Sequence, residues 1–442
     1  DTPSLRKVFV CTPVNVDEEP ACARQILSTL ARQAYRRPVS ENDLTPLMTF
    51  YEEGRNGASF NDGIELAIRR LLIDPKFLVR GELVPSAANA DEIYAISDLE
   101  LASRLSFFLW SSLPDEELIT LASENRLSDP VVMEQQVNRM LGDPRSDAMV
   151  QNFAQQWLYL RNLPTTSPDG IFYPNWDAEL RQSFQRETEL LFESILREDR
   201  SVVDLLDADY TFVNERLAKH YGIPNIYGSH FRRVDLNGAF DNRRGLLGQG
   251  SFLSVTFTEN FRTSPVKRGV WVLENILGTP PPEPPANVPA LEEAQSSAVV
   301  IRTLRDQMTL HRTEEPCATC HKMFEPLGFA MENYDAVGKW RTEDEGHLID
   351  ATGVITEGTE LDGLKSLRDL TVRKGDLFAR GVTEKLLTYA LGRGAEYEDM
   401  PLLRSITREA AKDNYRFSSL LMGVIQSQAF TMNLKTSLAM SE

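Results

Sequence analysis

Apolar residues recur with the period of an α-helix along most of the chain. In residues 19–35 they occupy positions 23, 26, 27, 30, 31 and 34, which form a stripe on one helical face. The same period, with Pro or Ser at several starts and ends, predicts further helices over residues 40–51, 60–73, 98–110, 130–141, 148–160 and 177–196. Strand signals are few, and residues 210–213 and 231–236 are predicted to form a small ribbon. We therefore predict a mainly α fold.

Residues 278–289 are the clearest linker, because prolines dominate this segment. Such a composition favours extended polyproline geometry and semi-rigid behaviour. We expect a spacer or a strap across a domain surface, rather than a ligand for a proline-binding domain. An amphipathic helix is predicted after it, over residues 292–310.

A short cysteine motif follows this helix. Residues 317–321 read Cys-Ala-Thr-Cys-His, the C-x-x-C-H pattern of covalent c-type haem attachment. Cys317 and Cys320 would form thioethers with the haem vinyl groups, and His321 would bind iron from the proximal side. A zinc site would need two more ligands, and the chain has no second C-x-x-C pair. A redox dithiol would need a βαβ context, whereas these surroundings look helical, so the motif favours haem c.

These signals divide the chain into four predicted parts. Residues 1–90 form an N-terminal helical domain and residues 91–236 a central helical domain. Residues 237–290 contain a helical segment and the Pro-rich linker. Residues 291–442 form a helical, cytochrome c-like domain that binds haem.

The two remaining cysteines, Cys11 and Cys22, bracket a loop rich in proline and acidic residues. We predict a disulfide between them, the alternative being two buried free thiols. Disulfide formation and cytochrome c maturation both take place outside the cytoplasm, so we expect a periplasmic or extracellular protein. No signal peptide is visible after Asp1, which leads us to expect a chain processed from a longer precursor.

The charge balance narrows the possible partners. With 47 basic and 65 acidic residues, the net charge is −18. This excess of acid argues against nucleic acid and an anionic membrane surface as partners, and it would steer a basic redox partner. No apolar run approaches the roughly 20 residues of a membrane span. Oligomeric state is not indicated by the sequence.

Several longer stretches resemble a known family. They are residues 101–112, 208–217, 244–250, 262–269, 326–335 and 386–393. Together they are similar to the multidomain c-type cytochrome proteins of planctomycetes and some myxobacteria, which are assembled from tandem domains of unknown function. The resemblance spans nearly the whole chain and implies secretion and haem.

The sixth iron ligand is the main open point of the predicted site. Met400, expected on a loop, and His311 are the leading candidates, followed by His347 and Met331. A lone methionine is more often core filler, a lone histidine more often makes a structural hydrogen bond, and an open or water-filled position is equally compatible with the motif.

Several aromatic and charged residues follow the motif in the sequence. Tyr334 and Trp340 are predicted to line the haem pocket or, less simply, to relay electrons. Arg341 is a candidate for contact with the haem propionates, because a guanidinium suits a carboxylate, with surface ion pairs as the alternative. The same expectation covers Asp335 and Arg393, and Phe324 and Phe329 complete the predicted pocket wall.

The sequence does not indicate a nucleotide-binding, serine hydrolase or zinc protease site, because it lacks a Walker loop, a nucleophile elbow and an H-E-x-x-H motif. Gly245, Gly248 and Gly250 are interpreted as close-packing positions rather than a phosphate loop. Glu187 and Glu189 are expected on a solvated helix face.

The sequence thus favours an extracytoplasmic haem protein that transfers electrons to or from a partner. The alternatives are a haem enzyme of peroxidase or oxidase type with an open iron position, and a binding scaffold with an accessory haem. No catalytic residue is indicated.

Overall fold

The structure is a computed structural model that describes residues 2–85, 89, 91–257, 262–283, 303–311 and 317–435. It is mainly helical, as predicted. In chain order the first helices are α1 Pro3–Val8, α2 Glu19–Tyr35, α3 Glu41–Arg55, α4 Phe60–Leu72, α5 Pro75–Leu78, α6 Asp98–Trp110, α7 Glu116–Ser123, α8 Pro130–Gly142, α9 Gln155–Trp157, α10 Ala178–Arg197, α11 Asp204–Asp207 and α12 Glu215–Tyr221. The remainder are α13 Gly250–Val255, α14 Pro265–Asn275, α15 Leu304–His311, α16 Cys317–Phe329, α17 Gly363–Arg373, α18 Gly375–Leu391, α19 Met400–Ala411, α20 Phe417–Ile425 and α21 Gln428–Thr431.

Short strands pair two by two in antiparallel fashion. They are β1 Ile93–Ala95, β2 Tyr210–Val213, β3 Arg232–Asp235, β4 Glu343–Asp344, β5 His347–Leu348, β6 Thr352–Val354, β7 Glu360–Asp362 and β8 Met432–Leu434. The ribbon predicted from the sequence is β2 with β3, in which Tyr210 lies opposite Asp235. The others pair as β1 with β8, β4 with β5, and β6 with β7.

The helix predictions hold closely where the apolar period is regular. The predicted helix at 19–35 is α2 and that at 98–110 is α6, each with the same bounds. The helix predicted over 148–160 is wrong in detail, because a π-helical turn, Met149–Ala154, leads into the short α9 and then a 3₁₀ segment. The Pro-rich linker beyond residue 283 and the part of the 292–310 helix before residue 303 lie outside the described residues.

Two compact units divide the chain. The first comprises residues 1–149 and 424–442, and the second comprises residues 150–423. Within the first unit, the return of the C-terminal segment is explained by strand pairing, since β1 forms a ladder with β8. None of the helices in the described ranges is long and apolar enough to cross a membrane. The four boundaries drawn from the sequence stay a prediction.

The first unit has its own apolar core at its N-terminal end, where α2, α3 and α4 pack together. Their stripes meet there, with Ile26, Leu27, Leu47 and Ile64 almost fully buried. Serine caps begin α3 and α4 in the capping-box arrangement, which satisfies backbone N–H groups at the helix start. The residues of this core all come from the N-terminal part of the chain, and none belongs to the C-x-x-C-H motif.

A disulfide joins Cys11 to Cys22, with Cα atoms 5.8 Å apart, and confirms the predicted pairing. Cys22 lies in the first turns of α2 and is buried in the same core. The bond therefore ties the segment before α2 to that core.

Replacing either Cys11 or Cys22 by alanine should lower the free energy of unfolding of the first unit by roughly 2–3 kcal/mol, because the closed loop no longer restricts the unfolded chain. Denaturant unfolding followed by circular dichroism measures the change. Reductant should lower the free energy of unfolding of the wild type to that of the variants and leave the free energy of the variants unchanged. Equal stability of oxidised wild type and variants would contradict the prediction.

In the second unit, α10 runs through the core and contacts α12, α13 and β2. The expectation that Glu187 and Glu189 lie on a solvated face is wrong, because both side chains are buried on α10. Glu187 accepts hydrogen bonds from Thr211 Oγ1 and Tyr221 Oη, each at 2.6 Å. A carboxyl group with two such donors can be buried at moderate cost.

The glycines at 245, 248 and 250 pack closely, as interpreted from the sequence. A Cβ atom at Gly250 would fall less than 3.0 Å from the ring of Phe184, and one at Gly245 would meet the backbone at Leu206 just as closely. Gly245 also has a positive φ of 63°, which favours glycine.

Candidate functional site

The C-x-x-C-H motif opens helix α16, so Cys317, Cys320 and His321 occupy its first turns. Residues three and four apart on a helix share a face, which places these positions near one another. Cys320 is half-buried and carries a free thiol, in contrast to the oxidised pair at Cys11 and Cys22. The side chain of Cys317 lies outside the described residues.

The ring of His321 is held by two neighbours on its own helix. Its Nδ1 lies 2.6 Å from Oε1 of Glu325, a hydrogen bond in which the ring N–H donates to the carboxylate. Glu325 is fully buried. The ring of Phe324 lies 5.1 Å from that of His321, centroid to centroid. With Nδ1 engaged in this way, Nε2 is the nitrogen that would be left to bind a metal, as is usual for a metal-bound histidine whose other nitrogen donates to a carboxylate.

Two glycines hold α16 against α14 at backbone distance. A Cβ atom at Gly269 of α14 would lie less than 3.0 Å from the carbonyl oxygen of Phe324, and one at Gly328 of α16 would lie equally close to that of Pro265. The contact therefore requires glycine on both helices. It fixes the segment that carries Phe324, the neighbour of Glu325, against a buried helix.

The chain that leaves α16 is clamped by Arg268 of α14, whose side chain is fully buried. Its guanidinium donates to the carbonyl oxygens of Met331, Tyr334 and Asp335 at 2.8–2.9 Å. It also pairs with the carboxylate of Glu332 at 3.3 Å. Burial raises the pKa of Glu332, while the guanidinium of Arg268 opposes that rise. The buried charges thus satisfy one another and shape the turn after the motif helix.

The predicted pocket residues Tyr334, Trp340 and Arg341 lie in and after this turn. Tyr334 is fully buried, its hydroxyl donates to the carbonyl oxygen of Asn242, and its ring meets that of Trp340 edge to face. Burial raises the pKa of Tyr334 to about 12. Arg341 pairs with Asp344 and with Glu332. These contacts are structural, and contact of the three residues with haem stays a prediction.

The other predicted pocket residues also have structural roles. The Asp335 carboxylate accepts from the backbone N–H groups of Val337 and Lys339, which closes a turn, and burial raises its pKa. Arg393 pairs with Asp399 at 2.6 Å. Phe329 is buried beneath the guanidinium of Arg305, 3.9 Å away. Phe324, from the predicted aromatic wall, contacts His321.

The candidates for the sixth iron ligand lie on different elements and differ in burial. Met400 is the half-buried first residue of α19 rather than part of a loop. Met331 is fully buried and His347 is exposed on β5. His311 ends α15, and its side chain lies outside the described residues. None of these positions decides the sixth ligand.

The motif residues present donors that a covalently attached haem would need. A free thiol at Cys320 and an oriented imidazole at His321 lie on one helix, and covalent haem attachment uses a thiol and an imidazole. Among the described residues, which leave out the side chain of Cys317, no group of three His, Cys, Asp or Glu side chains converges in a way that could hold a metal ion. The residues that would hold haem are Cys317, Cys320 and His321.

Comparison with protein families shows that four family models match successive parts of the chain. Residues 22–82 match the family described as Protein of unknown function (DUF1595), and residues 96–223 match that of DUF1592. Residues 243–344 match DUF1588, whose short name is PSCyt3, and residues 357–430 match DUF1585.

Four tandem domains of unknown function make up most of this chain. The arrangement is that of the planctomycete cytochrome-like multidomain proteins that the sequence resembles. The DUF1588 match contains the C-x-x-C-H motif together with α14 and the clamped turn. No curated protein and no solved structure matches the chain.

Sequence reasoning missed the residues that position the motif helix: Gly269, Gly328, Arg268 and Glu325. A signal existed for Glu325, because it stands four residues after His321 in surroundings that look helical, and side chains at that spacing meet on a helix. The roles of Arg268 and the two glycines depend on a contact between helices distant in sequence, so no local pattern could show them.

Proposed function

We propose that this chain is an extracytoplasmic c-type haem protein that exchanges electrons with a partner protein. The observation that carries the proposal is the placement of Cys320 and His321 on consecutive positions of one helix, with the histidine ring held by the buried carboxylate of Glu325. A cysteine left reduced beside an oriented imidazole is what haem attachment requires. When bound, haem supplies a one-electron Fe(III)/Fe(II) couple.

The residues of the chain have separate tasks in this function. Cys317 and Cys320 anchor the group, and His321 ligates iron from the helix. The contact of α14 with α16 and the Arg268 clamp keep that helix in place. The disulfide supports a periplasmic or extracellular location. A net charge of −18 favours a basic redox partner, because opposite charges accelerate encounter.

Protein produced in a host that matures c-type cytochromes should contain one covalent haem per chain. A pyridine haemochrome assay on denatured, acid-extracted protein measures it. Cys317→Ala and Cys320→Ala should each weaken attachment, and His321→Ala should abolish the normal axial ligation in the optical spectrum. The double variant Cys11→Ala, Cys22→Ala is the matched control and should keep its haem, since that pair serves the disulfide. Wild-type protein without covalent haem would overturn the proposal.

One observation favours a second candidate function, a haem enzyme with an open iron position. A carboxylate on the proximal histidine raises the basicity of the ligand. Greater electron donation from the proximal side is one way in which haem proteins favour O–O bond cleavage. The two functions therefore differ at the sixth position of iron.

The same haem-loaded protein separates the two functions through its optical spectra with carbon monoxide and cyanide. A carrier with Met400 or His311 as sixth ligand should bind neither rapidly, and Met400→Ala or His311→Ala should then open the site. Rapid binding by the wild type, together with peroxide turnover, would replace electron transfer by the enzyme function.

A further inference from the structure

The contact between His321 and Glu325 has a geometry unlike that of a surface ion pair. The two residues are four positions apart on α16, so the helix itself fixes their separation. Glu325 is fully buried, whereas His321 keeps part of its ring accessible. The 2.6 Å distance from Nδ1 to Oε1 is short, as expected for a hydrogen bond to a charged acceptor.

The helix segment that carries Glu325 also packs against α14 at backbone distance. Its neighbour Phe324 presents a carbonyl oxygen to Gly269 at backbone distance, and the ring of Phe324 lies 5.1 Å from that of His321 at a tilt of 54°. Gly328 makes the reciprocal contact with Pro265. The backbone at Glu325 is therefore held against α14, and its buried carboxylate meets the ring of His321 through one hydrogen bond.

We propose that Glu325 is a positioning residue that orients His321 on iron and lowers the reduction potential of the haem. The inference rests on the proposed function and deepens it by naming the residue that sets the reduction potential of the site. A carboxylate that accepts from Nδ1 pulls the ring proton toward itself and makes the opposite nitrogen a stronger donor. Stronger donation stabilises Fe(III) relative to Fe(II), so the potential falls.

Burial makes this influence large. Inside a protein the effective dielectric constant is well below that of water, so the charge of a buried carboxylate acts strongly on a group one hydrogen bond away. The acidic residues on the surface of the chain, by contrast, are screened by water and salt. Glu325 should therefore outweigh any single exposed carboxylate in its effect on the haem.

The test is a potentiometric titration of haem-loaded wild type, Glu325→Gln and Glu343→Gln. The first variant keeps an oxygen at hydrogen-bond distance and removes the charge. The second removes the same charge from an exposed position on β4 and is the matched control. Glu325→Gln should shift the reduction equilibrium toward Fe(II) at least tenfold, which corresponds to about 59 mV for a one-electron couple. Glu343→Gln should shift it much less.

Electron paramagnetic resonance of the ferric proteins supplies a second readout that a merely structural role would not move. The g values report the donor strength of the axial imidazole, so they should change in Glu325→Gln and stay those of the wild type in Glu343→Gln. Circular dichroism and the haemochrome assay establish that fold and haem content are unchanged. Should Glu325→Gln mature poorly, Glu325→Asp takes its place, because the shorter side chain keeps the charge and loses the contact.

The outcomes separate the inference from the function on which it rests. Covalent haem in the wild type with equal potentials and g values in both Gln variants would overturn the inference and leave the function standing. An unchanged potential in Glu325→Asp would overturn it in the same way. Wild-type protein without haem would overturn the function and the inference together. A tenfold or larger shift confined to position 325 supports both.

Discussion

Gly269→Ala should destabilise the second unit by about 3 kcal/mol, because a single added methyl group would meet a backbone atom that cannot move aside. The Cβ atom would lie less than 3.0 Å from the carbonyl oxygen of Phe324. A flexible side chain could rotate out of the way, but this oxygen belongs to α16. The two helices must therefore separate, and every contact along them weakens.

Denaturant unfolding of the purified protein measures this loss, and Gly381→Ala is the matched control. Gly381 is a buried glycine in the interior of α18, where the nearest heavy atom to an added Cβ is 3.9 Å away. Alanine is the better helix former by about 1 kcal/mol, so Gly381→Ala should leave stability unchanged or raise it. Similar free energies of unfolding for the two variants would show that the contact between α14 and α16 is not constrained as described. Gly328→Ala should behave like Gly269→Ala.

The helices of this protein were largely predictable, whereas the contacts that place the candidate site were not. A stripe such as that of α2 shows in the sequence because burial of one face repeats every turn. Gly269 has no such signature, since a glycine in a helix looks locally unfavourable and gains its value from Phe324, a partner about fifty-five residues away. Arg268 is similar, because a buried arginine depends on acceptors that another segment brings to it.

Glu187 shows a different limit of sequence reasoning. Leu180, Phe184, Leu191 and Ile195 form the buried stripe of α10, and position 187 falls on the same face. The spacing therefore contained the signal of burial, but the chemistry of a carboxylate suggested solvent. The structure resolves the conflict by supplying hydrogen-bond donors, and a charged residue on an apolar stripe is the pattern to notice.

The environment of Glu187 alters its ionisation. Burial raises the pKa of this carboxyl group to about 7, while Thr211, Tyr221 and the guanidinium of Arg243 oppose the rise. In the unfolded chain this carboxyl group has its ordinary pKa of 4.5. The native state therefore holds the proton more tightly than the unfolded state. The stability that results is fully present below pH 4.5 and is lost as pH rises through about 7.

Glu187→Gln should remove this pH dependence, because glutamine stays neutral throughout. Relative to the variant, the wild type should lose roughly 3 kcal/mol of unfolding free energy between pH 4.5 and pH 7.5, since one pKa unit corresponds to about 1.4 kcal/mol. His220 acts in the opposite direction, because burial lowers its pKa to about 4 and its contribution is lost as pH falls. It is present in both proteins and cancels in their difference.

Glu215→Gln is the control of opposite sign for this measurement. Hydrogen bonds from Lys219 and the backbone of Gly228 lower the pKa of Glu215. At pH values above the ordinary pKa of 4.5, this carboxylate therefore stabilises the native state. The wild type should therefore gain stability relative to Glu215→Gln as pH rises, and lose it relative to Glu187→Gln. Denaturant unfolding at four pH values between about 3 and 7.5 measures both differences, because the contribution of Glu215 changes mainly below pH 4.5 and that of Glu187 above it. A profile of Glu187→Gln that runs parallel to the wild type would mean that Glu187 is already ionised in the folded protein, with Arg243 neutralising its charge inside the core.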